Sequence, residues 1–463
     1  MRRFIETTFH FQERQTTLRT EITAGVTTFM TMAYILFVQP AVLSAAGMDP
    51  GAVFVATCVA SAIATILMGV LANYPIAQAP AMGHNFFFAF AAVPMIARTL
   101  PENAVVQPWQ IALGAVFISG VIFFVLSYTR TLDHLIQAIP DSLKNGIAVG
   151  IGLLIALVGL QWAGIVVDAP GTLMRLGNLH SPPVLLALFG LVLMASLLAL
   201  QVRGAILIAI LITAAAALPF GFTRFQGMVS APPSVAPTFF KLDLLGAIDL
   251  GLVSIIFTFF ILDFFDTVGT LIGVGEQAGF IKDGRLPRAR EALRADATGT
   301  VIGALLGTST ITSYIESAAG ISAGGRTGFA NVVTGILLLL SLLFSPLIKM
   351  IGSPMAYTMV MADGTRLELQ LYPIVAPALI IIGSFMMAAV VRIRWDDPTE
   401  AIPAFLTIVM MPFSGFSITE GIAFGFISYA LVKPLARRHR EVHWLIYACA
   451  LLFIARYIFM ATG

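Results

Sequence analysis

The chain of 463 residues is 58% hydrophobic and only 11% charged, whereas soluble proteins average about 45–50% apolar and about 25% charged residues. Stretches of about 20 apolar residues, enough to cross roughly 30 Å of hydrocarbon, recur along its whole length. This composition excludes a soluble protein and predicts an all-α polytopic membrane protein. The two cysteines, Cys58 and Cys449, lie in apolar runs and indicate neither a disulfide framework nor a metal site.

Breaks at Pro, Gly and charged residues divide the chain into predicted elements. Residues 1–20 are polar, carry no cleavable signal pattern and form a predicted cytoplasmic N-terminal segment. Fourteen predicted spans follow: 21–46, 51–73, 75–97, 108–129, 143–165, 182–201 and 203–221, then 250–277, 294–307, 311–323, 327–351, 372–391, 399–413 and 415–434. The further apolar segment 441–461 is predicted as an additional C-terminal helix, and the sequence leaves its placement in the membrane open.

Lysine and arginine predict the orientation, because cytoplasmic loops are enriched in both. The chain has 26 of them; Arg456 lies in the C-terminal segment, and six fall on the predicted outer side, namely Arg98, Arg175, Arg224, Lys241, Lys349 and Arg366. The other nineteen (26 − 6 − 1) are predicted to be cytoplasmic, as is the N-terminus. With seven spans in each half, the second half enters the membrane from the opposite side, which predicts an inverted repeat.

The third segment of each half reads as a broken helix. PIAQAPAMGHN (75–85) holds two prolines followed by a glycine, and GTSTITSYIESAAG (307–320) holds a β-branched, hydroxylated stretch before Glu316. Each predicts an extended stretch leading into a half-helix, and such backbone is tolerated at membrane depth only where protein or a water-filled cavity covers it. Two such segments at equivalent positions favour a central binding site over proline kinks used only for packing.

Two aspartates, Asp263 and Asp266, interrupt the apolar run ILDFFDTVGT. An ionised Asp at the bilayer centre costs about 2.5–3.5 kcal/mol on insertion scales, so acids at this depth indicate function. The two lie three residues apart on one helix face, which Thr267 and Thr270 extend, and Glu316 supplies a third carboxylate. Clustered carboxylates titrate as a coupled set, so the three acids are the predicted proton-coupling residues. The alternative is that they only cap helices or accept bonds from hydroxyls.

Other polar residues favour less specific interpretations. Asp296 and Glu276 flank the basic loop IKDGRLPRAREALRAD and are predicted to lie at the cytoplasmic interface, whereas Glu420 is predicted to cap a helix N-terminus. His84 beside Asn85 is either a pH-sensitive ligand or a donor used in helix packing.

Four stretches of the sequence carry a resemblance to a known family: YILFVQPAVLSAAGM, FDTVGTLIGV, TSTITSYIESAAGISAGGRTG and PAFLTIVMMPFSGFSITEGIAFGFISY. In order and across nearly the whole chain, they closely resemble the nucleobase:cation symporter-2 family, in its adenine/guanine/hypoxanthine permease branch. The resemblance implies fourteen spans in a 7+7 inverted repeat. It implies a core domain of 21–129 and 245–351 and a gate domain of 143–221 and 372–434, with short strands in the third and tenth segments that meet at the substrate.

The resemblance also implies the activity. It indicates a proton-coupled secondary transporter, not an enzyme, that imports purine nucleobases (adenine, guanine and/or hypoxanthine) across the cytoplasmic membrane by elevator-type alternating access. The implied partners are the purine, protons and the lipid bilayer, and a homodimer is compatible with the sequence. Nucleic acid, metal and cofactor are not expected, since the proton gradient supplies the energy.

Carried over position by position, the resemblance implies that Asp266 binds the purine and that Asp263 supports binding or coupling. It implies that Glu316 forms hydrogen bonds with purine ring nitrogens and that Asn85 lines the site. The remaining predicted site residues are His84 and Gly83, which contact substrate, and Thr267, Thr270 and Ile315, which line the site. The branch usually reads close to APGMGLN where this chain has APAMGHN, so Ala81 and His84 are departures beside the predicted site.

Other classes fit the sequence less well. A transporter of the same fold for xanthine, uracil or an inorganic anion is the first alternative, although an anion carrier would not be expected to place several acids at its site. An intramembrane aspartyl protease would use paired acids, but its Gly-x-Gly-Asp signature is absent. A channel would need a repeated acidic ring, and a primary pump would need a G-x-x-x-x-G-K-[ST] loop, which the sequence lacks.

Overall fold

The computed structural model describes residues 2–101, 104–129, 139–169, 171–249, 252–281, 286–361, 364–414 and 416–461. Of the cations predicted to be cytoplasmic, Arg130, Lys282 and Arg285 lie outside these described residues.

Helices dominate the first half of the chain. They are α1 (Arg2–Thr8), α2 (Leu18–Met32), α3 (Ile35–Ser44), α4 (Pro50–Leu71), α5 (Met82–Phe86), α6 (Val93–Thr99), α7 (Pro108–Leu126), α8 (Asp141–Trp162), α9 (Pro182–Ala199) and α10 (Ala205–Ala217). A π-helical turn over Phe87–Ala92 joins α5 to α6.

The second half begins with the short helix α11 and has a similar helix content. Its helices are α11 (Leu244–Asp249), α12 (Val253–Gln277), α13 (Ala289–Leu306), α14 (Ser317–Ser322), α15 (Phe329–Leu340), α16 (Ser345–Gly352), α17 (Ala376–Met386), α18 (Pro398–Phe413), α19 (Ile418–Leu435) and α20 (Trp444–Ala461). Short 3₁₀ turns follow α15, α17 and α19, at Ser341–Phe344, Met387–Arg392 and His439–Glu441.

Eight helical stretches of the described residues are long and apolar enough to cross a membrane, judged by length and composition. Two of them join consecutive helices, Leu18–Ser44 and Phe329–Gly352. Shorter apolar helices accompany them at Ala205–Ala217, Ala376–Arg392, Pro398–Phe413 and Trp444–Ile458. The protein is therefore a mostly helical integral membrane protein.

The described strands form three antiparallel pairs. Two are local hairpins, β2 (Val166–Ala169) with β3 (Leu173–Leu176) and β5 (Met355–Val360) with β6 (Arg366–Leu371). The third joins distant parts of the chain, because β1 (Gln78–Pro80) pairs with β4 (Ile311–Ser313). Both strands of this third pair are buried, and each leads into a short helix, as the sequence predicts for the two broken segments.

Helices pack closely where glycines remove side-chain bulk, as is common between membrane helices. The backbones of Gly69 and Gly328 touch, so that a Cβ on either residue would overlap the other. This contact brings the end of α4 to the start of α15, and α15 also packs against α2. Elsewhere α13 packs against both α4 and α7, while α8 packs along α17 and α18.

A cluster of ion pairs ties α18 and α19 to the segment before α20. The buried Lys433 ammonium lies 2.8 Å from both the Glu400 and the Glu441 carboxylate. Arg394 pairs with Glu400 at 2.8 Å, and Arg438 pairs with Glu441 at 2.6 Å. Hydrogen bonds from Arg438 and then Lys433 lower the pKa of Glu441 to about 2, which keeps this pairing charged throughout the physiological range.

The C-terminal helix α20 packs against α19 and α12. The ring of Phe453 lies between those of Phe426 and Phe257, with centroids 6.3 and 6.2 Å away. Arg456 pairs with Glu420 at 2.9 Å. The prediction that Glu420 caps its helix was wrong, because Ser417 is the N-cap and accepts the Glu420 N–H at 3.4 Å.

Candidate functional site

The pairing of β1 with β4 forms the centre of the candidate site. Gln78 lies opposite Ser313, Ala79 opposite Thr312, and Pro80 opposite Ile311. Backbone hydrogen bonds extend the pairing at both ends, from the Tyr314 N–H to Ala77 at 2.9 Å and from the Ala81 N–H to Thr310 at 3.0 Å. Backbone N–H and C=O groups that lie outside a helix need hydrogen-bond partners at membrane depth. In the two broken segments, each strand supplies these partners to the other.

Side chains from neighbouring helices bond to the rest of this buried backbone. The Thr65 hydroxyl on α4 bonds to both the N–H and the carbonyl of Gln78 at 2.9 Å. The Asn331 amide on α15 donates to the Ile76 carbonyl at 2.7 Å, and the Ser317 hydroxyl accepts the Ala77 N–H at 2.9 Å. The strand pair is therefore held rigidly by the helices around it.

Asp266 and Glu316 lie close together at one edge of the strand pair. Asp266 projects from an exposed face of α12 and accepts a hydrogen bond from the Thr312 hydroxyl on β4 at 3.2 Å. Glu316, just beyond β4, accepts one from the Tyr34 hydroxyl at 2.7 Å. The two carboxylates are near enough for their charges to interact, so the structure brings together two of the predicted acids.

Glu316 also borders a cavity of about 490 Å³. The cavity is lined by Thr27 and Thr31 of α2 together with Arg203 and Phe385. Its lining includes Ile315, whose side chain is 62% exposed. This volume lies within the range of a small-molecule site, and it gives Glu316 a route to solvent.

Asn85 and His84, on the half-helix α5, are both buried. The Asn85 carbonyl oxygen accepts a hydrogen bond from the Ser309 hydroxyl, which ties α5 to the segment before β4. Neither ring nitrogen of His84 has a hydrogen-bond partner among the described residues. Buried polar groups without partners are rare in native proteins, so His84 remains a candidate contact for the substrate.

The other predicted site residues occupy different surroundings. Gly83 packs against α8, where a Cβ on it would lie 2.8 Å from Ile151. Thr267 and Thr270 are buried on α12. Asp263 is also fully buried and accepts a hydrogen bond from the Thr300 hydroxyl at 3.0 Å, so it lies behind the strand pair rather than on the exposed face with Asp266.

Asp296 was predicted to lie at the cytoplasmic interface, and this prediction was wrong. Helix α13 begins at Ala289, so Asp296 lies about two turns inside it and is fully buried. Its carboxylate accepts from the Gln78 amide at 2.9 Å and from the Ser313 hydroxyl at 3.0 Å. The predicted span began only at residue 294, which is why the acid was placed at the membrane interface. Glu276, by contrast, is exposed near the end of α12.

Gln78 and Tyr34 also belong to the site, although sequence reasoning did not select them. Gln78 is an amide at the start of a buried strand, and Tyr34, the N-cap residue of α3, reaches Glu316 from far away in sequence. The polar residue in PIAQAP was a usable signal for Gln78, since a polar side chain at membrane depth is costly without a partner. Tyr34 had no comparable signal, because tyrosine is common in membrane helices.

The paired strands of the two broken helices and the acids beside them define the site, and comparison with known proteins shows the class to which the chain belongs. A model of the Permease family matches residues 19–424, and the chain therefore belongs to the nucleobase:cation symporter-2 family, in its adenine/guanine/hypoxanthine permease branch. Family members are permeases, so the chain is a transporter and not an enzyme.

Two relatives align over nearly their whole length. The adenine permease AdeP of Escherichia coli (strain K12) is 43% identical over 98% of this chain and 96% of its own. The guanine/hypoxanthine permease PbuG of Bacillus subtilis (strain 168) is 44% identical over 98% of this chain and all of its own, 100%. Together they support a nucleobase transporter.

Among solved structures, the chain is similar to the transmembrane domain of the cyanobacterial bicarbonate transporter BicA. The TM-score is 0.61 at 15% sequence identity, over 86% of this chain and 96% of that one. At this identity the similarity bears on the fold alone.

Proposed function

We propose that this protein imports purine nucleobases, among them adenine, guanine or hypoxanthine, across the cell membrane together with protons. Its relatives support the substrate class, since AdeP is named an adenine permease and PbuG a guanine/hypoxanthine permease. The observation that carries the proposal is the pair of neighbouring carboxylates, Asp266 and Glu316, at the edge of the strand pair.

This arrangement suits a purine chemically. A purine is flat and neutral, and it carries N–H donors and ring-nitrogen acceptors along one edge. A carboxylate accepts from an N–H, whereas a protonated carboxyl donates to a ring nitrogen. Asp266 and Glu316 are the proposed purine-binding residues, with Asn85, His84 and Gly83 beside them on α5 and with Thr267, Thr270 and Ile315 as lining residues. If the purine needs one ionised and one protonated carboxyl at the site, purine binding depends on proton binding.

The proposed transport cycle is an elevator movement of a core domain (21–129 and 245–351) against a gate domain (143–221 and 372–434), in a fourteen-span inverted repeat. The 490 Å³ cavity supports this division, because its lining combines Thr27, Thr31 and Glu316 of the proposed core with Arg203 and Phe385 of the proposed gate. Arg203 is on the side that the distribution of cations predicts to be cytoplasmic. The cavity is therefore the proposed release route into the cell.

The test is radiolabelled purine uptake in proteoliposomes, with and without an imposed pH gradient and with competing adenine, guanine, hypoxanthine, xanthine and uracil. We expect a purine to compete best and the gradient to drive accumulation. Asp266→Asn and Glu316→Gln should each abolish uptake, while Asp141→Asn, an exposed acid in an ion pair with Lys144, should not. Normal accumulation by both site variants, or preferential competition by uracil, would contradict the proposal.

A further inference from the structure

Asp263 and Asp296 form a second carboxyl pair, separate from the Asp266 and Glu316 edge. They lie on neighbouring helices, α12 and α13, and both side chains are fully buried. Thr300 lies one turn after Asp296 on α13 and donates to Asp263 at 3.0 Å. Since residues four apart share a helix face, Asp263 meets the same face of α13 from which Asp296 projects.

Each carboxylate of this pair is bonded on one oxygen only. Asp263 uses Oδ2 for Thr300, and Asp296 uses Oδ1 for Gln78 and Ser313. Asp263 Oδ1, Asp296 Oδ2 and the side-chain amide oxygen of Gln78 (Oε1) have no hydrogen-bond partner among the described residues. All three are buried acceptors, and an acceptor buried without a donor is costly.

The two carboxyl groups are close enough for their charges to interact, and the Thr267 hydroxyl also lies near Asp296. Two charged carboxylates can only accept, so neither can satisfy the other, and their charges repel in a low-dielectric interior. One proton turns one of them into a donor and removes one of the two charges. A single proton shared by Asp263 and Asp296 would therefore supply a donor for an oxygen that otherwise has none.

We propose that Asp263 and Asp296 share the transported proton, and that this pair is distinct from the acids that bind the purine. This inference rests on the proposed proton-coupled function. The pair connects to the purine edge through β4, where Ser313 bonds to Asp296 and its neighbour Thr312 bonds to Asp266. A purine that displaces Thr312 from Asp266 therefore acts on the strand that also holds the proton pair.

Other charged groups near the pair are few. The charge of Asp266 reaches both members. Arg294, on α13, turns away, because its guanidinium stacks on the Tyr128 ring at 4.1 Å. Strands β1 and β4 present only Gln78, Ser313 and other uncharged residues, and α7, which packs against α13, has no titratable residue in its sequence. Helix α4 has only Cys58 as a titratable side chain. The proton on the pair should therefore respond chiefly to Asp266.

The experiment compares two modes of transport by the full chain in proteoliposomes. Counterflow exchanges labelled for unlabelled purine and needs no net proton movement, whereas accumulation driven by a pH gradient does. Asp296→Asn and Asp263→Asn should keep counterflow but lose gradient-driven accumulation. Asp266→Asn is the control and should lose both. Accumulation by Asp296→Asn equal to wild type would overturn the inference, and so would a loss of counterflow as complete as that of Asp266→Asn in a protein with unchanged thermal stability.

A second measurement reads the proton itself and does not depend on which solute is carried. Infrared spectroscopy of the purified protein should show the carbonyl stretch of a protonated carboxyl at neutral pH. The part of that band that persists in the Asp266→Asn, Glu316→Gln double variant should disappear when Asp263→Asn and Asp296→Asn are added to it. Persistence of the band in this fourfold variant would overturn the shared proton even though purine transport is lost. A requirement for Na⁺ in place of the pH gradient would also overturn it, since the pair would then hold a metal ion.

Discussion

His84 illustrates how one buried side chain can carry specificity. It is 1% exposed, and its ring nitrogens have no partner among the described residues. A site that provides a polar group for a substrate discriminates strongly, because the group stays unpaired when the wrong substrate enters. The branch usually has Leu at this position, so the histidine is a change from an apolar to a polar side chain of similar size.

We predict that His84→Leu changes which purines compete for uptake while the protein stays folded. A single hydrogen bond contributes about 0.5–1.5 kcal/mol, which corresponds to about a two- to tenfold change in relative affinity. The measurement is inhibition of labelled uptake by each purine in turn. His180→Leu, at an exposed position, is the control. An unchanged competition profile in His84→Leu would reduce this histidine to a packing residue.

A site residue can be selected from sequence only when placing its side chain in the membrane interior has a high free-energy cost. Asp263, Asp266 and Glu316 stand out because a carboxylate is expensive in hydrocarbon. Asp296 is as buried as Asp263, but a cluster of arginines precedes it and conceals the start of its helix. Tyr34 gives no signal, since only the tertiary fold brings it to Glu316. Local sequence reports the cost of burying a group, but not the partner that compensates for it.

The contact between α5 and α8 is tight because it depends on a glycine. Gly83 lies on the half-helix of the third segment, and Ile151 lies on α8, which belongs to the proposed gate. A Cβ built on Gly83 would approach Ile151 Cγ2 to 2.8 Å, closer than real atoms pack. Ile151 is β-branched and 8% exposed, so it has little freedom to move away.

We predict that Gly83→Ala slows purine uptake and that adding Ile151→Ala restores it. Overpacking of this kind costs about 1–3 kcal/mol. The added methyl group would lie on the surface along which the proposed domains move. Uptake rate and thermal stability are measured together. Gly273→Ala is the control, because no described atom lies within 4 Å of a Cβ there. If the double variant transports no better than Gly83→Ala alone, the contact with Ile151 is not the cause.

The broken helices show what an element's sequence can and cannot predict. Prolines at 75 and 80, and the β-branched run before Glu316, are sufficient to predict extended stretches inside the membrane. Their mutual pairing, Gln78 opposite Ser313, joins residues more than two hundred positions apart and follows only from the resemblance to the family. The π-helical turn at Phe87–Ala92 was not predicted, and its phenylalanines are packing residues, with Phe87 lying 4.7 Å from the Phe259 ring.

Over the full chain, composition alone defines a polytopic helical membrane protein, and eight described stretches meet the length and hydropathy of a span. Helices such as Ala205–Ala217 and Pro398–Phe413 are shorter than a bilayer needs, so the count of fourteen spans stays a prediction. The same holds for the division into core and gate. The number of spans and the division into core and gate depend on contacts between distant parts of the chain, which local sequence patterns do not reveal.

Protons and purine should enter together, because strand β4 connects the acid Asp266, which recognises the purine, to the carboxyl pair that holds the proton. The direct test loads proteoliposomes with a pH-sensitive dye and adds purine outside without an imposed gradient. We predict that the interior acidifies as labelled purine enters, that both signals vanish in Asp266→Asn, and that a protonophore abolishes only the acidification. Purine entry at the wild-type rate with no change in internal pH would contradict the account.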